Sequence, residues 1–217
     1  MSQHTAQKKH TSEQQVVIHP SILYAGNPVA LITTLNSNGE TNISPMSSVW
    51  ELGERLVLGI TSTSQAYDNL QHEGECVVNF PSSDLWEQVE RLARTTGRNP
   101  VPEQKKAIGY YFEPDKFSCT DFTPIEAEDV KPLRIAECPL QFEARLLKLH
   151  QPASLSQDDP VAFGIFEMQV TRVHAHATIV QAGTNHIDTA AWSPLLYVFR
   201  HYFGTGPDLG RTFKAEA

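Results

Sequence analysis

Cysteine is scarce in this 217-residue chain. Cys76, Cys119 and Cys138 are widely spaced, with no CxxC pair and an odd total. That excludes a disulfide framework and fits a reducing, cytoplasmic setting. Basic residues are also few, 17 Lys and Arg against 25 Asp and Glu, for a net charge of −8. The only basic doublets, Lys8-Lys9 and Lys105-Lys106, lie in polar segments, so no nucleic-acid surface is expected. No apolar run approaches the ~20 residues that span a bilayer, and no membrane contact is expected. The opening MSQHTAQKKHTSEQQ lacks the apolar core of a signal peptide. We read residues 1–15 as a disordered lead and 16–217 as a single domain. Also missing are a G-x-S-x-G elbow, a Walker loop and a G-x-G-x-x-G after a strand. Those absences argue against hydrolase, NTPase and Rossmann chemistry. Gly204-Thr205-Gly206-Pro207 comes late with no helix after it, and reads as a turn.

What is present is an ordinary globular composition, 40% apolar and 19% charged, organised around residues 30–79. An apolar, β-branched run at 30–35 meets Asn36-Ser37-Asn38-Gly39, whose Asn-Gly pair signals a hairpin turn. A second strand is expected over 41–50 and, after a turn at 52–55, a third over 56–60. Then Thr61-Ser62-Thr63-Ser64-Gln65 leads into a helix ending near Gly74. Ser62 with Gln65 fits a capping box. A helix start lined with hydroxyls favours an anion, because unpaired amides and the helix dipole both attract phosphate.

Around this block, 16–23 reads as an edge strand broken by Pro20, 24–28 as a loop, and 76–80 as a short buried strand. Leu85, Trp86, Val89, Leu92 and Ala93 recur at helical spacing after a cap at Ser82 or Ser83, with Gly97 as the residue just past the helix end. Residues 98–131 are proline-rich without a clean period, an excursion anchored by Tyr110, Tyr111, Phe112, Phe117 and Phe122. Leu140, Phe142, Ala144 and Leu146 alternate with Gln141, Glu143 and Arg145, a half-buried strand. A polar connector at 151–160 precedes one long strand or two over 161–180. The sum is a mainly β chain with short antiparallel links. A closed or split β-barrel with peripheral helices is the expected architecture.

The leading candidate site combines Asn42, Pro45, Met46, Ser47 and Ser48 with Ser62, Thr63, Ser64, Gln65 and Asn69. Proline interrupts strand pairing, which frees backbone amides and carbonyls to meet a planar polar ring edge-on. Taken alone, the first group is equally a polar turn at a barrel rim. Two hydroxyl-rich segments after neighbouring strands favour one shared ligand. His174 and His176 share a strand face at a spacing that metal sites use, but no third ligand sits at a matching offset. We assign no metal and read a polar strand face. The aromatic tail, Trp192, Tyr197, Phe199, Tyr202 and Phe203, could be core, dimer seam or pocket wall, with core or seam preferred.

The stretches ALITTLNSNGETNISPMSS, LVLGITSTSQAYDNL and GECVVNFP resemble the flavin reductase-like, FMN-binding split-barrel family. The likeness continues through LWEQVERLARTTGR, KPLRIAECPLQFEA and PLLYVFRHYFGTG, covering most of the chain. It implies a non-covalent FMN at the rim of an antiparallel split barrel and a homodimer. Carried over by position, Asn42 and the Pro45, Met46, Ser47, Ser48 segment border the flavin ring. Ser62, Thr63, Ser64, Gln65 and Asn69 line its phosphate and ribityl end. In one respect the chain departs from the family. Where members often carry Lys and Thr before that Asn, this chain has Gln65 and Ala66. The phosphate is then expected to lack a local cation and to rest on hydroxyls, amides and Arg98, with weaker FMN retention.

The implied activity is NAD(P)H-dependent flavin reduction, with electrons passed on to free flavin or another small acceptor. No catalytic acid or base is assigned. Two alternatives share the same site: a non-catalytic FMN redox carrier or sensor, and a flavin-dependent oxygenase acting on a small organic substrate. A metal-binding cupin-like barrel rests on the two strand histidines alone.

Overall fold

The computed structural model describes residues 15–152, 162–210 and 212. The expected N-terminal lead, apart from its last residue, lies outside the described residues. So do most of the polar connector and Val161. The elements in chain order begin with β1 (Ala25–Pro28), β2 (Ala30–Leu35), β3 (Thr41–Met46), β4 (Val49–Leu52) and β5 (Arg55–Thr61). Next come α1 (Gln65–Glu73), β6 (Glu75–Phe80), α2 (Trp86–Arg91), β7 (Thr95–Thr96), α3 (Glu103–Ala107) and β8 (Tyr111–Phe112). The chain continues with α4 (Lys116–Thr120), β9 (Pro124–Ile125), β10 (Arg134–Ile135), β11 (Leu140–His150), β12 (Phe163–Ala175), β13 (Leu196–Val198) and β14 (His201–Phe203).

The main sheet has seven strands in the order β3-β2-β6-β11-β12-β5-β4, all antiparallel. Its two outermost strands, β3 and β4, are joined by Ser47 and Ser48 alone. Seven strands laid flat would hold their edges roughly 29 Å apart at the usual strand spacing. Three peptide units reach about 10 Å. The sheet must therefore curl until its edges meet, which gives the split barrel with helices on its flanks. Pro45 does not itself make the break. It lies within β3 opposite Leu31, on an edge, where a missing N–H need not cost a ladder bond.

Curling creates two cores. Ala30, Ile32, Leu58, Val78, Phe166 and Met168 fill the barrel with Ala66 and Leu70 of α1. Leu31, Ile43, Val89, Leu92, Phe122 and Ile135 form a second core outside it. β2 is buried on both faces, which explains its apolar start; Thr33 and Thr34 are buried as well, Thr34 accepting from Asn69 Nδ2. The outer core is covered by the excursion after Gly97. Phe122 is buried and Phe117 packs on this core, but Tyr111 and Phe112 are exposed and pair β8 in parallel with β7.

Several local expectations need correction. Residues 16–23 form no strand. The first strand is β1, inside the segment read as a loop, and it pairs with β13 across a register shift at Gly26, whose φ is +129°. The cap of α1 is Ser64 rather than Ser62: its Oγ accepts the Tyr67 backbone N–H at 3.2 Å. Gly74, with φ +68°, closes that helix as expected. Gly97 is not a helix stop, because α2 ends at Arg91 and β7 intervenes. A Cβ there would lie 2.4 Å from Asn42 Oδ1, so the position is glycine for close approach.

The alternation in β11 misleads about its outer face. Gln141 and Glu143 are buried: the segment between β9 and β10 crosses Glu143, while β10 and the turn after it cover Gln141, whose Nε2 donates to the Ile135 and Cys138 carbonyls. The Glu143 carboxylate accepts backbone N–H bonds from Glu128 at 2.9 Å, Asp129 at 2.6 Å and Val130 at 3.2 Å. His174 Nε2 lies 2.6 Å from the same group. Burial pushes this carboxyl's pKa up, but the amides of Glu128 and Asp129 and the His174 contact outweigh it, and the net shift is downward. His176 Nε2 is 2.9 Å from the Ala136 carbonyl oxygen. His174 thus supports the crossing segment through Glu143, whereas His176 ties the end of β12 to the turn after β10.

Candidate functional site

The junction of the barrel's two edges opens into a cleft of about 420 Å³, within the range of small-molecule sites. Three parts of the chain build it. The β3–β4 corner supplies Ser44, Pro45, Met46, Ser47 and Ser48; the end of β5 and start of α1 supply Gly59, Ile60, Thr61, Ser64 and Ala66. Aromatic rings close the rest: Tyr24 before β1, Tyr110 from the excursion, and Tyr197 and Tyr202 from the β13–β14 hairpin.

Local chemistry fixes each wall. Ser48 packs on Gly59, where a Cβ would approach the Ser48 Cβ to 3.1 Å, and the Gly59 amide donates to the Ser48 carbonyl at 2.8 Å. The hydroxyls of Tyr24 and Ser48 share a hydrogen bond. Tyr24 in turn meets Tyr197 edge-on at 5.9 Å, and Tyr197 packs on Tyr202 at 5.7 Å. The Tyr202 hydroxyl donates to Glu90 at 3.0 Å. Burial, then that neighbouring carboxylate, drives its pKa far above the ordinary phenol value, so it stays a neutral donor. Beneath β3, the buried Lys116 donates from Nζ to the Ile43 carbonyl at 2.7 Å, satisfying an acceptor on the edge strand. Burial, then the nearby Lys105 charge, lowers the Lys116 pKa to about 8.

The ten residues singled out by sequence separate into three groups. Pro45, Met46, Ser47, Ser48 and Ser64 line the cleft. Ser62 and Thr63 stand beside it, their carbonyls engaged by cations. Arg98 Nη2 donates to Ser62 O at 2.8 Å and to Ser64 O at 3.2 Å, and it pairs with Asp68 at 2.7 Å. Lys105 Nζ donates to Thr63 O at 3.1 Å. Asn42, Gln65 and Asn69 do not line the cleft; Asn42 and Gln65 face a smaller cavity of about 230 Å³ beside Gly97. Gln65 donates to Asn69 Oδ1 at 2.8 Å, while Asn69 Nδ2 donates to Thr34 Oγ1 and Asn36 Oδ1 at 3.0 and 2.9 Å. Asn42 donates to Ser44 Oγ at 3.0 Å. Gln65 and Asn69 brace the hairpin against α1, whereas Asn42 bonds within β3.

The first turn of α1 carries no basic residue of its own; Arg98, named from the sequence for this place, and Lys105, which was not, reach the segment. Arg98 and Lys105 arrive from the excursion, a placement that depends on tertiary packing. Tyr24, Tyr110 and Lys105 carried no local signal for the site. Tyr197 and Tyr202 were visible as aromatics, and both line the cleft. A larger trough of about 1060 Å³ lies between the β2–β3 turn and α4, with Glu40, Asp115, Asp121 and Glu126 on its walls against one cation, Lys131. That acidic lining repels an anionic ligand and holds none of the ten residues.

Among the described residues no helix is long and apolar enough to cross a membrane. Cys76 and Cys138 are buried free thiols, and burial pushes the first up to about 12, so neither is a ready nucleophile.

Comparisons with known proteins match this arrangement. The model of the flavin reductase-like domain covers residues 24–206. The protein YdfE of Bacillus subtilis (strain 168), itself uncharacterized, is 43% identical over 209 residues, 96% of this chain and 98% of that protein. Among solved structures, nitrilotriacetate monooxygenase component B from Bacillus cereus superposes with a TM-score of 0.71 at 17% identity, over 92% of this chain and 100% of the other. Flavoredoxin of Desulfovibrio vulgaris (Miyazaki F) gives 0.70 at 17% identity, over 94% and 99%. Likeness at that identity speaks to the fold.

Proposed function

From the premise that this chain belongs to the flavin reductase-like domain family, we propose that it is an FMN-binding oxidoreductase that takes reducing equivalents from NADH or NADPH. The observation that carries the reading is the convergence of the β3–β4 corner, the α1 start and four tyrosines on one cleft of about 420 Å³. Pro45, Met46, Ser47 and Ser48 would border the ring of the flavin, and Ser62, Thr63 and Ser64 its ribityl phosphate. Bound there, FMN would supply a ring able to accept a hydride and release electrons to a small acceptor.

The protein's own contribution is positioning. Tyr24 locks the Ser48 hydroxyl, and Gly59 lets that serine sit flush against β5. Tyr197 and Tyr202 give a rigid apolar wall that keeps water from one side. Asn69 spends its side chain on Thr34, Asn36 and Gln65, so it would act by holding the hairpin and helix in register rather than by touching the ligand.

A homodimer in the cytoplasm completes the proposal. Trp50 and Leu52 are exposed on the edge strand β4, and a second copy would cover them. Three free cysteines suit a reducing compartment. The test is the visible spectrum of freshly purified protein, recorded without oxygen before and after each pyridine nucleotide. A bound flavin that bleaches with either one supports the reductase. A bound flavin that neither nucleotide bleaches points to the redox-carrier alternative, and protein that binds no flavin sinks both. Light scattering that gives only the monomer mass would remove the dimer.

A further inference from the structure

We propose that the end of the barrel opposite α1 is a binding site for a small organic ammonium ion with an aromatic body. The inference stands apart from the flavin reading and concerns a different cavity. α1 links the end of β5 to the start of β6. It corks that end of the barrel with Ala66 and Leu70, both buried in the inner core. The opposite end, bounded by the start of β5 and the end of β6, holds a cavity of about 440 Å³ to which no helix contributes. Its apolar lining includes Phe80, Leu140, Phe142, Val170 and Trp192, all packed on the inner core. Phe80 is buried, whereas the other four are only partly covered. A concave mouth of this size, walled by wet apolar core, favours a small molecule that displaces the water.

Two observations give the occupant its charge. The first is the rim, where Glu51 and Glu54 stand against a single cation, Arg55. That guanidinium faces Glu167 at 3.7 Å, a residue outside the lining. The Glu54 carboxylate accepts from the neutral Gln169 amide at 3.4 Å. Glu51 has no ion pair among the described residues. Burial, opposed by a bond from its own backbone, raises its carboxyl's pKa. A carboxylate partly shut from water without a counter-ion is stabilised by an incoming cation. The second observation is the aromatic wall. Phe80 and Phe142 meet edge-on at 5.2 Å, and Trp192 completes a set of rings whose faces attract an ammonium ion. An anion would meet two carboxylates here, and a purely apolar body would leave them unpaired.

The experiment is a calorimetric titration of the full chain with probes of one shape: 1-naphthylmethylammonium, 1-naphthalenemethanol and 1-naphthoate. The expected order is ammonium, then alcohol, then carboxylate, with the ammonium at least about fivefold tighter than the alcohol. Added salt should narrow that gap. Glu51→Gln should cut the preference by at least about twofold and leave the alcohol unchanged. Val173→Trp fills the mouth from a position that is 57% exposed. It should weaken every bound probe severalfold with the melting temperature little altered. Saturating FMN should change none of these affinities. Equal affinities, or a preference undiminished in Glu51→Gln, would overturn the charged site. Binding that survives Val173→Trp unchanged, or that FMN displaces, would put the probe elsewhere and overturn it. So would a folded chain that binds none of the probes: a dimer would then mean a mouth covered by the second copy, and a monomer a mouth with no affinity.

Discussion

Lys116 offers a direct test of how the excursion is tied to the strand beside the cleft. Its ammonium is buried under β3 against the Ile43 carbonyl, and burial lowers its pKa from 10.5 to about 8. Below about pH 8 the amine is charged in both folded and unfolded chains, and the cost of burying that charge is fully present. As pH rises through 8 the folded state releases its proton first, while the unfolded chain keeps its own until 10.5. Across that window the unfolded state binds more protons, so stability must rise with pH. The gap between the two values corresponds to roughly 3 kcal/mol. Lys116→Met removes the titration. At neutral pH it relieves the buried charge but leaves the Ile43 carbonyl unpartnered, at about 1–3 kcal/mol, so net stability there should change little. The measurement is a series of urea unfolding curves for both proteins between pH 7 and 10.5. The unaltered protein should gain roughly 3 kcal/mol on the variant across the series. A constant difference, within about 0.5 kcal/mol, would refute a buried, displaced amine.

Three further outcomes are expected. Glu143→Gln should destabilise the fold by about 2–4 kcal/mol in chemical denaturation, because the charge is lost and the new NH2, in either orientation, faces at least one of the backbone N–H groups that the carboxylate accepted. The Glu143 pKa is held below its ordinary 4.5, so its contribution is present above that value and lost as pH falls through the lower folded value; the variant should lack that acid-range decline. Gly97→Ala places a methyl 2.4 Å from Asn42 Oδ1, which should cost about 1–3 kcal/mol in thermal melts. Unchanged melting would mean that the β7 loop does not press on Asn42. Tyr24→Phe removes the bond to Ser48 and should weaken flavin binding by about threefold to tenfold in a fluorescence titration, with the melting temperature little altered.

The sequence made the inner half of the barrel legible wherever chemistry is local. Asn-Gly after β2, the hydroxyls before α1 and Gly74 after it each fix backbone geometry within a few residues, and the elements fall where those signals stand. What escaped was decided at long range. The segment Ala25-Gly26-Asn27-Pro28 has loop composition, yet β13 recruits it as a strand from the far end of the chain. Glu143 has the alternation of a solvent-facing residue, yet three amides from residues 128–130 enclose it. Asn79 sits in an apolar run because its amide bridges β2 and β10: it donates to Leu31 O at 2.9 Å and accepts from Ile135 N at 3.0 Å. At the candidate site the corner and helix-start residues were readable, whereas Tyr24, Tyr110 and Lys105 reach it only through the fold.

The two-serine link between β3 and β4 behaves like the clasp of a bracelet. Its side chains can be exchanged without altering the circumference, but an added residue there gives slack to the whole band. With one more link the outer strands could drift apart, and the hollow they enclose would broaden into a shallow saddle. Natural variation at this corner should therefore swap side chains and conserve spacing, and an engineered glycine between Ser47 and Ser48 should abolish ligand capture while most of the chain stays folded.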